Sequence, residues 1–588
     1  MNKKKAMNFL ALSAMAVFLP TVAVQAEVAT VEGASFSQVT DVDGIEGSCF
    51  YLYVPSHMES PFPMITPVIY VYGDQPYESE EAAWDALTAA GLDVIAEEEQ
   101  GAIIMVNPVG DEWGEEDIDV YEAIMSYISY VDGTVPLTYH SLQYAIGEGS
   151  GATFINNYLT ENCQRLAAVM TFGGEIGTPY PLYALPAYIV SGSQEAVDYY
   201  INANDGTVVL PTSGRVDQVA EKIKGEWVTE DTEEKTTYTL SSNDVKKVIV
   251  SKAESETLDA DLIADCWSSL FRYTTRACLT SNFWQMSSDQ NPDEFTLLKR
   301  PNYEEAGMEV VRVDGIGNGI WEDDEKNYWY EFVPAAVQEA MESGSDETFP
   351  LLMCFHGGGD HPIYEAESVG WAQLCIDNDI IMVSPNGGGA EQFNALMDYM
   401  IDKYPVDTSR IYAAGFSGGA RSTLALSNAY PERLAAVAPQ SCVAGPFYTD
   451  LMANIGNYDY DLDLPICVVG QGLETESTNH NGEYVWYDAI QIICDIDEIP
   501  QYEGELDYTQ NPYWGFEVAG EVRHSVQYGF AIWQGFKYDE NGIPMLGLMH
   551  TEATTHTHYP GYAPLIWNWM KQFTRDTETL EVVYTPAE

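Results

Sequence analysis

An internal repeat constrains this chain more than any other feature. IIMVNP at 103–108 recurs as IIMVSP at 380–385, YAIGEGSGA at 144–152 as YAAGFSGGA at 412–420, and RLAAV at 165–169 again at 433–437. The last two pairs share one offset of 268 residues, and LPAYIVSG at 185–192 is followed in the same order by LPICVVGQ at 464–471. Solenoid units run to about 20–50 residues, so a period this long predicts two copies of a whole domain. Within each copy, short apolar runs alternate with helix-length amphipathic stretches. In the second copy the runs are YWYEFVP at 328–334, LLMCFHG, IIMVSP, RIYAAGFS, AAVAPQS, ICVVGQG and PMLGLMHT. Apolar runs of this length, bounded by Gly or Pro, fit strands buried on both faces. Helices between them make βαβ units and a mostly parallel sheet. The expected fold class is therefore α/β, with two tandem domains at 27–285 and 308–588 and a polar linker at 286–307 that holds Pro292 and Pro301. The charged stretch from Glu226 to Lys235 reads as a surface insertion in the first copy.

Residues 1–26 stand apart from the repeat. Lys3, Lys4 and Lys5 precede an apolar run from Phe9 to Leu19, and Val24-Gln25-Ala26 supplies small residues for cleavage. This is the pattern of a bacterial secretory signal peptide. No Cys follows it to carry a lipid, and no later apolar run reaches membrane length, so no membrane anchor is expected. The formal charge of −66, from 91 acidic and 25 basic residues, excludes nucleic acid and anionic membranes as partners. Of the nine cysteines, Cys354 and Cys467 sit in strand-like runs and read as buried thiols, whereas Cys266 and Cys278 are candidates for a pair. No metal-ligand spacing appears. The sequence sets no oligomeric state.

The chemistry is concentrated in the second copy. Gly415-Phe416-Ser417-Gly418-Gly419 lies directly between a strand and a helix, the context a nucleophile elbow requires. The turn is tight enough that Gly must flank the serine, and the backbone N–H of Gly418 can face a developing oxyanion. His356-Gly357-Gly358-Gly359 ends the LLMCFHG strand, where absent side chains let the amides of Gly357 and Gly358 approach the same oxygen. A base is expected after the last strand, in HTEATTHTHYPG at 550–561. His550 falls within that strand and reads as structural. His556 is the first candidate and His558 the alternate. The acid should follow the ICVVGQG strand, and the candidates there are Glu474 and, as alternate, Glu476 in QGLETEST. His356, Phe416 and Trp371, with Trp533, are candidates for contact with the substrate.

DTSRIYAAGFSGGARSTLALSNAYPERLAAVAP, the HGGG loop and NGIPMLGLMHTEATTHTHYPG resemble the poly(3-hydroxybutyrate) depolymerase and feruloyl esterase group of α/β-hydrolases, over residues of about 305–575. In that group the last strand runs into a Gly-His-x-Trp-Pro-Gly loop. Here Thr557-His558-Tyr559 intervenes before Pro560-Gly561, and Glu stands where the family usually carries Asp. The resemblance implies two tandem α/β-hydrolase-like domains and a secreted serine esterase acting without cofactor or metal. Its substrates would be polyesters such as polyhydroxybutyrate, or feruloyl and acetyl esters of plant polysaccharide. Two other readings are a prolyl-oligopeptidase-like serine peptidase, which usually carries a β-propeller, and a non-catalytic polymer-binding pseudo-hydrolase.

On the shared offset, Ser417 falls opposite Gly149 in Gly147-Glu148-Gly149-Ser150-Gly151, and Tyr72-Gly73-Asp74 replaces the HGGG loop. No His occurs between His140 and His356, so the first copy lacks a base. It is expected to be a degenerate, non-catalytic domain.

Overall fold

A computed structural model describes residues 32–587, apart from 57–65, 130–134, 136, 138–141, 161–162, 164–165, 180–183, 206–207, 210–221, 224, 279–294, 316–326, 442–461, 472–489, 492, 496, 508, 512–513, 526–530 and 552–557. Two ten-stranded sheets dominate it. The first comprises β1 (Ser35–Thr40), β2 (Cys49–Val54), β3 (Val68–Tyr72), β4 (Ala102–Asn107), β5 (Gln143–Glu148), β6 (Ala168–Phe172), β7 (Ala187–Val190), β8 (Trp227–Asp231), β9 (Lys235–Leu240) and β10 (Asn243–Ser251). A two-stranded ribbon follows, β11 (Thr274–Cys278) with β12 (Phe295–Lys299). The second sheet comprises β13 (Glu309–Asp314), β14 (Tyr328–Val333), β15 (Phe349–Phe355), β16 (Ile381–Pro385), β17 (Val406–Phe416), β18 (Ala436–Gln440), β19 (Ile466–Gln471), β20 (Ala519–Ser525), β21 (Ala531–Lys537) and β22 (Leu546–Thr551).

The strand order is β1-β2-β4-β3-β5-β6-β7-β10-β9-β8 in the first sheet and β13-β14-β16-β15-β17-β18-β19-β22-β21-β20 in the second. The two orders are the same, crossover for crossover. In both, the centre is parallel and the two outer strands at each edge run antiparallel. The parallel strands are buried on both faces because helices cover both faces. In VIYVY of β3, for example, all five residues are buried: Tyr70 and Tyr72 enter one core and Ile69 and Val71 the opposite one. Alternation along a pleated strand requires that partition. Five helices matter for the sites below: α1 (Ser150–Asn157), α2 (Pro362–Ser368), α3 (Trp371–Asn378), α4 (Gly418–Ala429) and α5 (Tyr562–Met570). Among the described residues, no helix is long and apolar enough to cross a membrane.

Three expectations are corrected. The segment at 286–307 is not a plain connector, because Phe295–Lys299 forms β12 and buries Leu297 and Leu298. Glu226 to Lys235 is not an insertion: Trp227–Asp231 is the edge strand β8, and its exposed charges suit a strand with one unpaired side. Its counterpart at the second sheet's edge is β20. Cys266 is a buried free thiol rather than half of a disulfide, as are Cys354 and Cys467.

Arg300 joins the halves. Its Nε donates to Glu367 Oε2 at 2.7 Å and its Nη2 to Oε1 at 3.3 Å, while its Nη1 donates to the carbonyl of Arg272 at 3.3 Å. Tyr303 adds a hydroxyl bond to Glu367 Oε1 at 3.1 Å. Both partners are largely buried, so removing one leaves an uncompensated charge. Arg300→Ala is expected to destabilise the assembled chain by about 3 kcal/mol, read as a lower guanidinium midpoint. An unchanged midpoint would show the pair to be solvated.

Candidate active site

The site grows from the end of β17. Ser417 has φ 52° and ψ −107°, a backbone that non-glycine residues rarely adopt. Its N–H donates to the carbonyl of Gln440 at 2.9 Å, which ties the turn to the end of β18. The flanking glycines are steric necessities. A Cβ on Gly415 would lie 2.5 Å from the Gly419 carbonyl oxygen, and one on Gly419 would lie 1.9 Å from that of Phe355. Because no side chain intervenes, α4 begins against the end of β15 and the Gly357–Gly358 loop. A Cβ on Gly418 would sit 3.0 Å from the Gly358 nitrogen. Ser417 and the three candidate oxyanion residues Gly357, Gly358 and Gly418 are thus gathered at one corner, with Ser417 7% exposed.

His356 stands beside this corner but is turned into the structure. Its Nδ1 lies 2.7 Å from the Gly357 carbonyl oxygen and its Nε2 3.1 Å from that of Asn386. It braces the loop. Phe416 is buried beneath the elbow, its ring 4.2 Å from that of His558. Trp371 opens α3 and is fully buried, so it lines no open wall. Trp533 is half-buried opposite His550 across the β21–β22 pair, and His550 is buried within its strand. His556, Glu474 and Glu476 lie outside the described residues.

His558 is 4% exposed and packs between Phe416 and the edge of Tyr364. Its Nε2 lies 2.9 Å from Glu365 Oε2 and 3.2 Å from Asp360 Oδ2. Burial opposes its protonation, but the two carboxylates outweigh this and raise its pKa to about 10. Burial also raises the Glu365 carboxyl, against the pull of His558. Asp360 Oδ2 occupies the space where a side chain on Gly357 would be, 2.2 Å from that position. The cluster therefore underlies the loop that carries the candidate oxyanion donors. The sequence offered no metal-ligand spacing, yet Asp360, Glu365 and His558 bring three ligating atoms within 4.8 Å of one another. Asp360 and Glu365 were invisible in the sequence because their partner is remote in the chain.

The first half repeats this backbone with different residues. Gly149 has φ 53° and ψ −115°, and its N–H donates to the Phe172 carbonyl at 3.0 Å, as Ser417 does to Gln440. A Cβ on Gly151 would lie 2.1 Å from the Tyr72 carbonyl oxygen, matching Gly419 against Phe355. In place of an open donor, the N–H of Ser150 is capped by Asp74 Oδ1 at 2.8 Å, and the Ser150 hydroxyl donates to the Asp74 carbonyl at 2.6 Å. A side chain at 149 would meet that carboxylate at 2.2 Å. The elbow persists as a fold element; the position of the nucleophile is empty and the adjacent amide is occupied by an anion of the chain itself.

No family model matches the chain. It is 36% identical over 196 residues to acetylxylan esterase A of Emericella nidulans, covering 33% of this chain and 55% of that one. It is 38% identical over 69 residues to feruloyl esterase B of Thermothelomyces thermophilus, covering 12% of this chain and 24% of that one. The chain therefore spans at most about half the length of either relative. Among solved structures, an acetyl xylan esterase from Aspergillus awamori matches at 13% identity with a TM-score of 0.31, over 45% of this chain and 99% of that one.

Proposed function

We propose that the chain is a serine carboxylic-ester hydrolase, with residues 308–588 as the catalytic domain and 27–285 as a non-catalytic copy of it. The observation that carries this reading is Ser417 in a strained elbow whose following residue, Gly418, packs against the Gly357–Gly358 loop. Ser417 Oγ attacks the ester carbonyl, and the amides of Gly418, Gly357 and Gly358 hold the oxyanion. His556 accepts the serine proton and passes it to the departing alcohol; water then attacks the acyl-enzyme with the same base. His556 is preferred to His558 because the latter's Nε2 lies buried beside Asp360 and Glu365. His556 stands two residues before His558, whose ring packs on Phe416 beside Ser417 in the sequence. Glu474 or Glu476 completes the triad.

The names of the relatives favour acetyl or feruloyl esters of plant polysaccharide, and the basic-then-apolar N-terminus favours export to reach them. The test is a panel of nitrophenyl acetate, acetylated xylan, methyl ferulate, a hydroxybutyrate oligomer and a peptide anilide, with a fluorophosphonate probe. Ester turnover with the label on Ser417 is expected, and acetate release against ferulate release ranks the substrates. No turnover on any ester, with Ser417 unlabelled in folded protein, would overturn the reading in favour of a binding protein.

A further inference from the structure

We propose that Asp360, Glu365 and His558 bind one divalent cation of the zinc class, which staples the oxyanion loop to the segment that follows the candidate base. The site is structural and independent of the esterase reading, since serine chemistry requires no metal.

Three observations carry it. First, the donors converge: Nε2 of His558 is 2.9 Å from Glu365 Oε2 and 3.2 Å from Asp360 Oδ2, and all three ligating atoms lie within 4.8 Å. Ligands on a tetrahedral zinc with bonds of about 2.0–2.1 Å stand roughly 3.3 Å apart, within this range. Second, the short distances are not matched by hydrogen-bond alignment. Neither nitrogen of His558 and neither carboxylate oxygen of Glu365 has an aligned partner, although all four atoms are buried. A fully buried carboxylate is ordinarily satisfied, because an unmade bond leaves its desolvation uncompensated. A cation held among His558 Nε2, Glu365 Oε2 and Asp360 Oδ2 would give the first two of these atoms a partner. Third, the charges balance with a divalent ion. Two carboxylates against one imidazolium leave a net negative charge in a buried site; two carboxylates, a neutral imidazole and a dication sum to zero. Two further ionisable side chains interact with Glu365: the buried Cys354 thiol, and His356, whose ring is held by the carbonyls of Gly357 and Asn386.

One histidine nitrogen with two carboxylate oxygens is a borderline-hard donor set that suits zinc better than calcium, which takes 6–8 oxygen ligands. Asp360 and Glu365 come from the turn after β15 and the start of α2, while His558 lies beyond β22. A cation here would cross-link two distant parts of the chain directly under Gly357 and Phe416.

The test uses the full chain and zinc alone. Protein purified without chelator is dialysed in about 0.5 M NaCl, which screens the exposed acidic surface, and zinc is counted by mass spectrometry. About one zinc per chain is expected. Chelation should lower the thermal midpoint by roughly 5 °C, reversed by zinc. Glu365→Gln and Asp360→Asn, near-isosteric changes, should abolish the stoichiometric zinc and the chelator response. Equal zinc in wild type and both variants would place the metal on the surface and overturn the proposal. So would a wild-type chain that takes up no zinc at micromolar free concentration and ignores chelator. Because the readouts are metal content and melting, failure here leaves the ester-hydrolase reading untouched, and inactivity toward esters leaves this one untouched.

Discussion

Ser417→Ala is expected to lower kcat/KM toward nitrophenyl acetate by on the order of 10^4–10^6, the range seen when a serine nucleophile is removed and the oxyanion donors remain. The whole of the activity should vanish to this floor, because the first half offers no substitute. Gly149 stands where the nucleophile would be, and the Asp74 carboxylate already accepts the Ser150 amide. Adding Gly149→Ser to the alanine variant should restore nothing, since its Cβ would meet Asp74 and no histidine occurs between His140 and His356. Stability should move the other way. A non-glycine residue at φ 52° stores about 1 kcal/mol or more, and the first half already uses glycine at this turn. Ser417→Gly should therefore be as inactive as Ser417→Ala yet melt at a higher temperature. Esterase kinetics on the three proteins, with calorimetry, decide it. Residual turnover within about tenfold of wild type would place the nucleophile elsewhere.

Much of this architecture was legible in the sequence because the repeat and the two-sided burial of parallel strands leave strong local marks. All seven strands expected in the second copy form, each within a few residues of the expected limits. The elbow was legible because its glycines stand together in the sequence around Ser417, although Gly418 and Gly419 are required by contacts with Phe355 to Gly358 at the end of β15. What escaped depends on distant partners. Asp360 and Glu365 acquire meaning only when His558 arrives from beyond β22, and no spacing along the chain encodes that meeting. Polarity misled at Glu226–Lys235 and 286–307, where exposed charge and proline read as insertion and linker but an edge strand and a ribbon strand form. An edge strand has one solvent-facing side, so charge is compatible with it. Trp371 misled in the opposite sense, because an aromatic near a site is a candidate wall until its complete burial is known.

Gly419→Ala should be the most disruptive single methyl added to the second half. The new Cβ would lie 1.9 Å from the Phe355 carbonyl oxygen, 2.4 Å from its carbon and 2.8 Å from the His356 carbonyl oxygen. All three are backbone atoms, so no rotamer change relieves the clash. Either α4 or the end of β15 must move, and β15 is central, hydrogen-bonded on one side to β16 and on the other to β17. Overpacking of flexible side chains costs about 1–3 kcal/mol; displacement of two backbone segments should exceed that range, giving insoluble protein or a thermal midpoint lowered by more than about 8 °C. Two neighbouring glycines separate this effect from general intolerance. Gly418→Ala meets the Gly358 nitrogen at 3.0 Å and the Gly357 carbonyl carbon and Gly358 Cα only at 3.5 Å, so it should fold while pushing a candidate oxyanion donor aside and lowering kcat. Gly358→Ala meets nothing within 4 Å and should change stability little. The expected order of melting is therefore Gly358→Ala, then Gly418→Ala, then Gly419→Ala far below. If Gly419→Ala melts with the other two, the close approach of α4 to β15 is not what holds the oxyanion loop over Ser417.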